Sequence, residues 1–130
     1  MIDYDNSSFE EVWDYEYEEG LERRGVFSNF LSAGKFYDDI NDFIYYMKNG
    51  EYHREDGPAI IYRRGFSYMA HFVWYNHGKE HRIDGPALYI FNENDKIVNR
   101  QYFIFGEQVS EKDISSLRDL GNGNELVILW

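Results

Sequence analysis

The block His53-Arg54-Glu55-Asp56-Gly57-Pro58-Ala59 returns 28 residues later as His81-Arg82-Ile83-Asp84-Gly85-Pro86-Ala87, with six of seven positions identical. The period reaches beyond the block. Tyr46, Trp74 and Tyr102 keep the same spacing, and so do Gly50, Gly78 and Gly106. Two copies align without a gap. A third begins at Tyr102 and loses the motif after Gly106, with Val109-Ser110 standing where His-Arg would fall. A fixed period of this size is the mark of stacked supersecondary units, none of which buries its own apolar face alone.

Each unit reads as strands joined by tight turns. Lys48-Asn49-Gly50 and Asn76-His77-Gly78 lie between apolar, β-prone runs, and such pairs tolerate the positive φ of a two-residue hairpin. Asp-Gly-Pro predicts a second turn, in which Gly supplies an unusual φ and Pro opens the next strand without a ladder donor. Ile60–Tyr62 and Leu88–Phe91 then read as strands. A third turn is expected near Arg64-Gly65 and at Asn92–Asp95, before the returning strands Phe72–Tyr75 and Tyr102–Phe105.

The ends read as caps on this sheet. Phe36, Ile40, Phe43 and Ile44 have helical spacing and predict a helix over 36–45. Residues 8–19 fit a helix with Phe9, Val12, Trp13 and Tyr17 on one face, or a strand in which Trp13, Tyr15 and Tyr17 alternate with acids. Ser8 followed by Glu10 and Glu11 favours the helix. Ser110 and Asp113 predict a helix running to about Leu120, stopped by Gly121–Asn124, and Leu126–Trp130 reads as a final strand. The expected fold is therefore α+β: an antiparallel sheet of repeated hairpins, with an acidic, partly helical N-terminal segment and a C-terminal helix plus strand. The 130 residues suit a single domain, with the acidic segment at 1–45, the repeats at 46–108 and a cap at 109–130.

The blocks from Asn49 to Ala59 and from His77 to Ala87, each with an aromatic residue four positions before its turn Gly, resemble a β-hairpin repeat of the MORN-like class. Repeats of this type occur in proteins of bacteriophages and giant viruses. The resemblance covers about residues 44–108. It implies a hairpin array and a viral or mobile-element origin, and it carries no catalytic residues to transfer.

Charge points to the other feature of interest. The chain holds 24 acids and 13 bases, a net charge of −11. Twelve of the acids and only three of the bases fall in residues 1–45. A balance this negative argues against direct binding to nucleic acid or to an anionic membrane. The absence of cysteine removes disulfides and thiolate metal sites and suits a reducing, cytoplasmic setting, that of the host if the chain is viral. No apolar run approaches a membrane span. The first nine acids are interleaved with Tyr4, Phe9, Val12, Trp13, Tyr15 and Tyr17, more large apolar groups than a solvated tail carries. This segment is expected to be ordered.

The repeated His-Arg-x-Asp cluster suggests two chemistries. His53 with Asp56, or His81 with Asp84, has the residue types of a base and its orienting acid. The alternative is structural: Arg54 pairs with Asp56 and Arg82 with Asp84 to pin each Asp-Gly-Pro turn. Residues that recur with the scaffold read as scaffold, so Gly50, His53, Arg54, Asp56, Gly57 and Pro58 are assigned to the repeat. Gly78, His81, Arg82, Asp84, Gly85 and Pro86 are assigned with them. His71, His77 and His81 lie close in sequence but lack the HExxH pattern, and no metal or other cofactor is expected. No nucleophile elbow or phosphate loop is present, so the protein is not expected to be an enzyme.

What remains is binding through charge. The candidate partner-binding residues are Asp3, Asp5, Glu10, Glu11, Asp14, Glu16, Glu18, Glu19 and Glu22, with Asp38, Asp39 and Asp42. Carboxylates at alternate strand positions lie roughly 6.6 Å apart, and i, i+4 pairs on a helix roughly 6 Å apart. Either spacing approximates two phosphate steps of a DNA strand at roughly 3.4 Å each. The expected function is an acidic, phage-encoded inhibitor that mimics nucleic acid. Its partner would be a basic nucleic-acid-binding defence enzyme of the host, such as a CRISPR effector nuclease. The alternative is an antitoxin-like interaction module that binds through its sheet face. On either reading the chain is expected to be a monomer or an edge-paired dimer.

Overall fold

Three tight turns set the path of the chain. Asn49-Gly50, His77-Gly78 and Phe105-Gly106 each hold two successive positive φ angles, from 45° to 88°. This backbone matches the twist of paired strands and produces two-residue hairpins. The computed structural model describes residues 2–18, 33–64 and 69–115. In chain order the elements are α1 (Phe9–Glu18), β1 (Gly34–Asp38), β2 (Phe43–Lys48), β3 (Glu51–Tyr52), β4 (Ile60–Tyr62) and β5 (Ala70–Val73). There follow β6 (Tyr75–Asn76), β7 (Lys79–Glu80), β8 (Leu88–Phe91), β9 (Ile97–Ile104) and β10 (Glu107–Val109), then a helical turn, α2, over 111–115.

The fold is α+β, dominated by an antiparallel sheet. Its strand order is β1-β2-β4-β5-β8-β9-β10, with β3 on the far end of β2. The hairpin β6–β7 forms a separate two-stranded ribbon. The reading of Phe72–Tyr75 as one strand is thus corrected: β5 ends at Val73, Trp74 lies between the two elements, and Tyr75 enters the ribbon. The hairpin ends are laced to each other by the backbone. Gly78 N–H donates to Tyr52 O and Gly106 N–H to Glu80 O, both at 2.8 Å and 28 residues apart.

Residues 36–45 are not a helix. They form the β1–β2 hairpin, in which Phe36 faces Tyr45 and Tyr37 faces Ile44. Asp38 ends the strand by accepting from Ile40 N–H and Asn41 N–H, and Asp42 takes φ 59°. Ile40, which completed the helical pattern, sits on the turn and is 88% exposed. The spacing was shared by two structures, and the turn-forming Asp38, Asn41 and Asp42 decided between them.

Residues 9–18 are the helix. Its first N–H groups are fully accounted for, as a helix start requires. Phe9 and Glu10 N–H donate to the carboxylate of Asp95, and Glu11 N–H donates to Ser8 Oγ. Glu11 Oε1 in turn accepts from Ser8 N–H, closing a capping box. Ser110 and Asp113 make the same reciprocal pair at α2. The expected continuation of α2 to Leu120, the strand at 126–130 and the turn at Gly65 lie outside the described residues.

Both faces of the sheet are buried at its centre. Ile44, Ile61, Phe72, Trp74, Tyr89 and Phe91 point to one side, where Tyr4, Phe9, Val12 and Trp13 of the N-terminal segment cover them. Phe43, Tyr45, Ile60 and Val73 occupy the other side, with Phe36, Tyr52, Tyr62 and Tyr75 against them. The period-2 alternation of the strands sorts these sets. Among the described residues no helix is long and apolar enough to cross a membrane.

Candidate functional site: two arginine clamps beneath an acidic helix

The repeat motif builds the same clamp twice. Arg54 Nε donates to Asp56 Oδ1 at 2.8 Å and Nη1 to Pro58 O at 3.1 Å. Arg82 makes the matching bonds to Asp84 Oδ1 and Pro86 O, at the same two distances. Each guanidinium lies over the ring of the aromatic residue eight positions earlier, Arg54 at 4.0 Å from the Tyr46 ring centre and Arg82 at 4.2 Å from Trp74. The glycine of each Asp-Gly-Pro turn leaves room for this. A Cβ on Gly57 would lie 2.9 Å from Arg54 Cζ, and a Cβ on Gly85 would lie 2.9 Å from Arg82 Cζ. The expected unusual φ is corrected: neither glycine has positive φ, and its role is close approach.

The other side of each guanidinium is filled by the N-terminal segment. Asp5 accepts from Arg82 Nη1 and Nη2 at 2.9 and 2.8 Å, a two-pronged pair, and from the Tyr89 hydroxyl at 2.6 Å. Glu16 accepts from Arg54 Nη1 at 3.1 Å and from the hydroxyls of Tyr4 and Tyr46, with Lys35 Nζ 3.2 Å away. Its side chain is 1% exposed. Burial by itself would raise the pKa of both carboxyls. The guanidiniums, the tyrosine hydroxyls and, for Glu16, Lys35 outweigh it, so both are held below their usual values. Burial and the same carboxylates push the Tyr4, Tyr46 and Tyr89 hydroxyls up, so they act as donors throughout the working pH range.

The histidines of the motif fasten one hairpin to the next. His53 Nδ1 accepts from His77 N–H at 3.0 Å, and His81 Nδ1 accepts from Phe105 N–H at 2.9 Å. Each imidazole stacks on the ring whose backbone it holds, at 4.2 and 4.0 Å. These bonds support His77 and Phe105 in their left-handed conformations. Burial lowers the His81 pKa to about 4, which keeps the acceptor nitrogen unprotonated. The suggested acid–base pairs are not assembled, because Asp56 and Asp84 serve the arginines. His71 lies on β5 with Nδ1 2.8 Å from Met69 O. Among the described residues no group of three or more His, Asp or Glu is placed to hold a metal ion.

Between the two clamps runs a groove of about 610 Å³. Trp74, Tyr75, His53, His77 and His81 line it. Glu55, Asp56 and Asp84 also line it and are 78, 62 and 74% exposed.

The candidate acids thus divide. Glu16 is enclosed, Asp5 is bound in the Arg82 fork, and Asp42 accepts from the Tyr37 hydroxyl at 2.8 Å. Asp38 caps its turn and Asp39 is exposed on it. Asp3, Glu10, Glu11 and Asp14 are exposed, the last three on the outer side of α1. The side chain of Glu18, and all of Glu19 and Glu22, lie outside the described residues. The sequence reading missed Tyr4, Tyr89, Lys35 and Asp95, whose partners stand far away in the chain, up to 86 residues for Asp95 and Phe9. No local pattern signals such a contact. Comparison of the chain with protein-family models, curated proteins and solved structures found no match.

Proposed function

We propose that the protein is a binding protein whose acidic helix engages a basic, nucleic-acid-binding partner, in the manner of a nucleic-acid mimic. The observation that carries this reading is the composition and placement of α1. Its ten residues hold five carboxylates and no base, and the cation at its C-terminal end comes from β1, where Lys35 Nζ donates to Glu16 O at 2.6 Å. Glu16 is spent on Arg54, and Phe9, Val12 and Trp13 hold the helix on the sheet. Glu10, Glu11 and Asp14 are left outward on a firmly seated element. Glu10 and Asp14, four apart, stand roughly 6 Å from each other. A rigid row of this kind attracts a cationic cleft from a distance and binds with strong salt dependence.

The hairpins serve as the platform. The recurrence of clamps, turns and histidine fasteners at 28 residues supports a repeat array of the MORN-like kind, closed after the third turn by Val109 and Ser110. The natural target class is a host nuclease that handles nucleic acid in a basic channel, a CRISPR effector among them, which fits a phage-encoded inhibitor.

A second reading has its own observation. The face opposite α1 carries a run of ring contacts, Phe36–Tyr45–Phe43–Tyr62 and Tyr45–Tyr52–Tyr75, at 4.7 to 6.0 Å. That face suits an interaction module without mimicry.

The test is capture from bacterial lysate at low and high salt. The baits are the intact chain, a triple variant E10Q/E11Q/D14N and a double variant Y62A/Y75A. Gln at position 11 keeps the capping acceptor, so the triple variant folds. The reading expects a nucleic-acid enzyme on the intact bait, released by salt, lost from the triple variant and kept by the double one. Capture lost only from the double variant would transfer the function to the sheet face.

A further inference from the structure

The groove between the clamps has the shape and charge of a site for a cation. Its volume falls within the range of ligand pockets. The two guanidiniums along it offer little to an anion, since their side chains are only 9 and 10% exposed. Each already lies between two carboxylates, Glu16 and Asp56 for Arg54, and Asp5 and Asp84 for Arg82. With Glu55, whose Oε2 lies 3.5 Å from His53 Nε2, five carboxylates stand against these two arginines and Lys35; Asp5 is 40% exposed outside the groove, and Glu55, Asp56 and Asp84 are the exposed ones that line it. The field in the groove is therefore negative. Tyr75 adds an aromatic surface, and burial beside Glu80 pushes its hydroxyl up to about 12, so the ring is neutral. A ring next to carboxylates is the usual surround for a guanidinium or ammonium group.

We infer that this groove receives one lysine or arginine side chain of a basic polypeptide segment. The inference rests on the basic partner proposed above and adds to it a second, side-chain-specific contact. Among the described residues the site exists once. It needs a complete motif on both sides, and the third copy replaces His-Arg with Val109-Ser110.

The test is an amide-resolved NMR titration of the full chain with two capped pentapeptides, Gly-Gly-Arg-Gly-Gly and the same peptide with norleucine in place of arginine. The expected result is movement of the Asn76, His77 and Ile83 signals with the arginine peptide alone. Glu55→Gln should weaken that binding by roughly threefold, the size of one exposed ion pair, and Glu55→Lys should abolish it. Glu55 is too exposed for either change to unfold the chain, which an unchanged melting temperature would verify. Equal binding of the norleucine peptide would overturn the inference. So would the absence of movement in the groove. Movement confined to Glu10, Glu11 and Asp14 would also overturn it, while leaving the acidic-helix reading standing. Failure of that reading would show separately, as loss of salt-sensitive capture by the intact bait.

Discussion

Glu16→Gln is the sharpest perturbation of this structure. The change keeps the shape and removes one charge from a site where the native carboxylate is 1% exposed. Arg54 would keep Asp56 but lose its buried counter-ion, and Lys35, 12% exposed, would lose the carboxylate 3.2 Å away. Two tyrosine hydroxyls now donate to the two carboxylate oxygens, and an amide offers one oxygen and an NH2. Removing one partner of a buried ion pair costs about 3–5 kcal/mol, because the remaining charge stays buried. The survival of Asp56 on Arg54 places this case near the lower end, about 3 kcal/mol. For a domain of this length that is a fall in Tm of roughly 12 °C. Glu10→Gln is the control, an equal loss of charge on the same helix at an exposed site, with an expected change below about 0.5 kcal/mol. Differential scanning calorimetry of the two variants beside the parent reads the contrast. If Glu16→Gln melts within about 2 °C of Glu10→Gln, the clamp is not what holds α1 to the sheet.

Other outcomes follow from the same geometry. Gly57→Ala places a methyl group 2.9 Å from both Arg54 Cζ and Tyr4 Cε2, and urea unfolding should show a loss of about 2 kcal/mol from the strain. Asp95→Ala removes the acceptor for two N–H groups at the start of α1; it should cost about 1 kcal/mol and speed amide exchange at Phe9 and Glu10. The folded chain resists protonating His81, whose pKa falls from 6.5 to about 4, so the unfolded state takes up a proton first as pH falls. His81 therefore lends stability that is complete above pH 6.5 and is lost on the way down to about pH 4. His81→Asn, which keeps an acceptor at the δ position, should flatten urea midpoints across that window. Below it the lowered Asp5, Glu16 and Asp56 groups take over the acid sensitivity.

Much of the sheet was legible because its signals are local. Asn49-Gly50 and the 28-residue period announce hairpins, and Ser8 with Glu11 announces a helix start. Residues 36–45 misled because Phe36, Ile40, Phe43 and Ile44 satisfy a helical period and a hairpin equally. The turn formed by Asp38, Asn41 and Asp42 separates the two. Within the described residues 2–18 the acidic stretch packs on the sheet as its aromatics suggest, but its division into clamp and outer face was not legible. Nothing near Asp5 or Glu16 in the sequence indicates Arg82 or Arg54. The repeated arginine in turn shows Asp56 and Asp84 as neighbours and gives no sign that a second carboxylate arrives from elsewhere. Gly57 and Gly85 were read as sites of unusual φ because Asp-Gly-Pro suggests a turn, whereas the guanidinium folded across them is visible only in three dimensions.

The central claim is that the outward carboxylates of α1 bind a basic partner while Asp5 and Glu16 hold the fold. The most direct measurement is the affinity of the captured partner, by calorimetry over a range of salt, for the intact chain and for E10Q/E11Q/D14N. The expected result is a steep loss of affinity with salt for the intact chain, with much weaker and flatter binding by the variant at unchanged Tm. Equal affinities with equal salt slopes would contradict it.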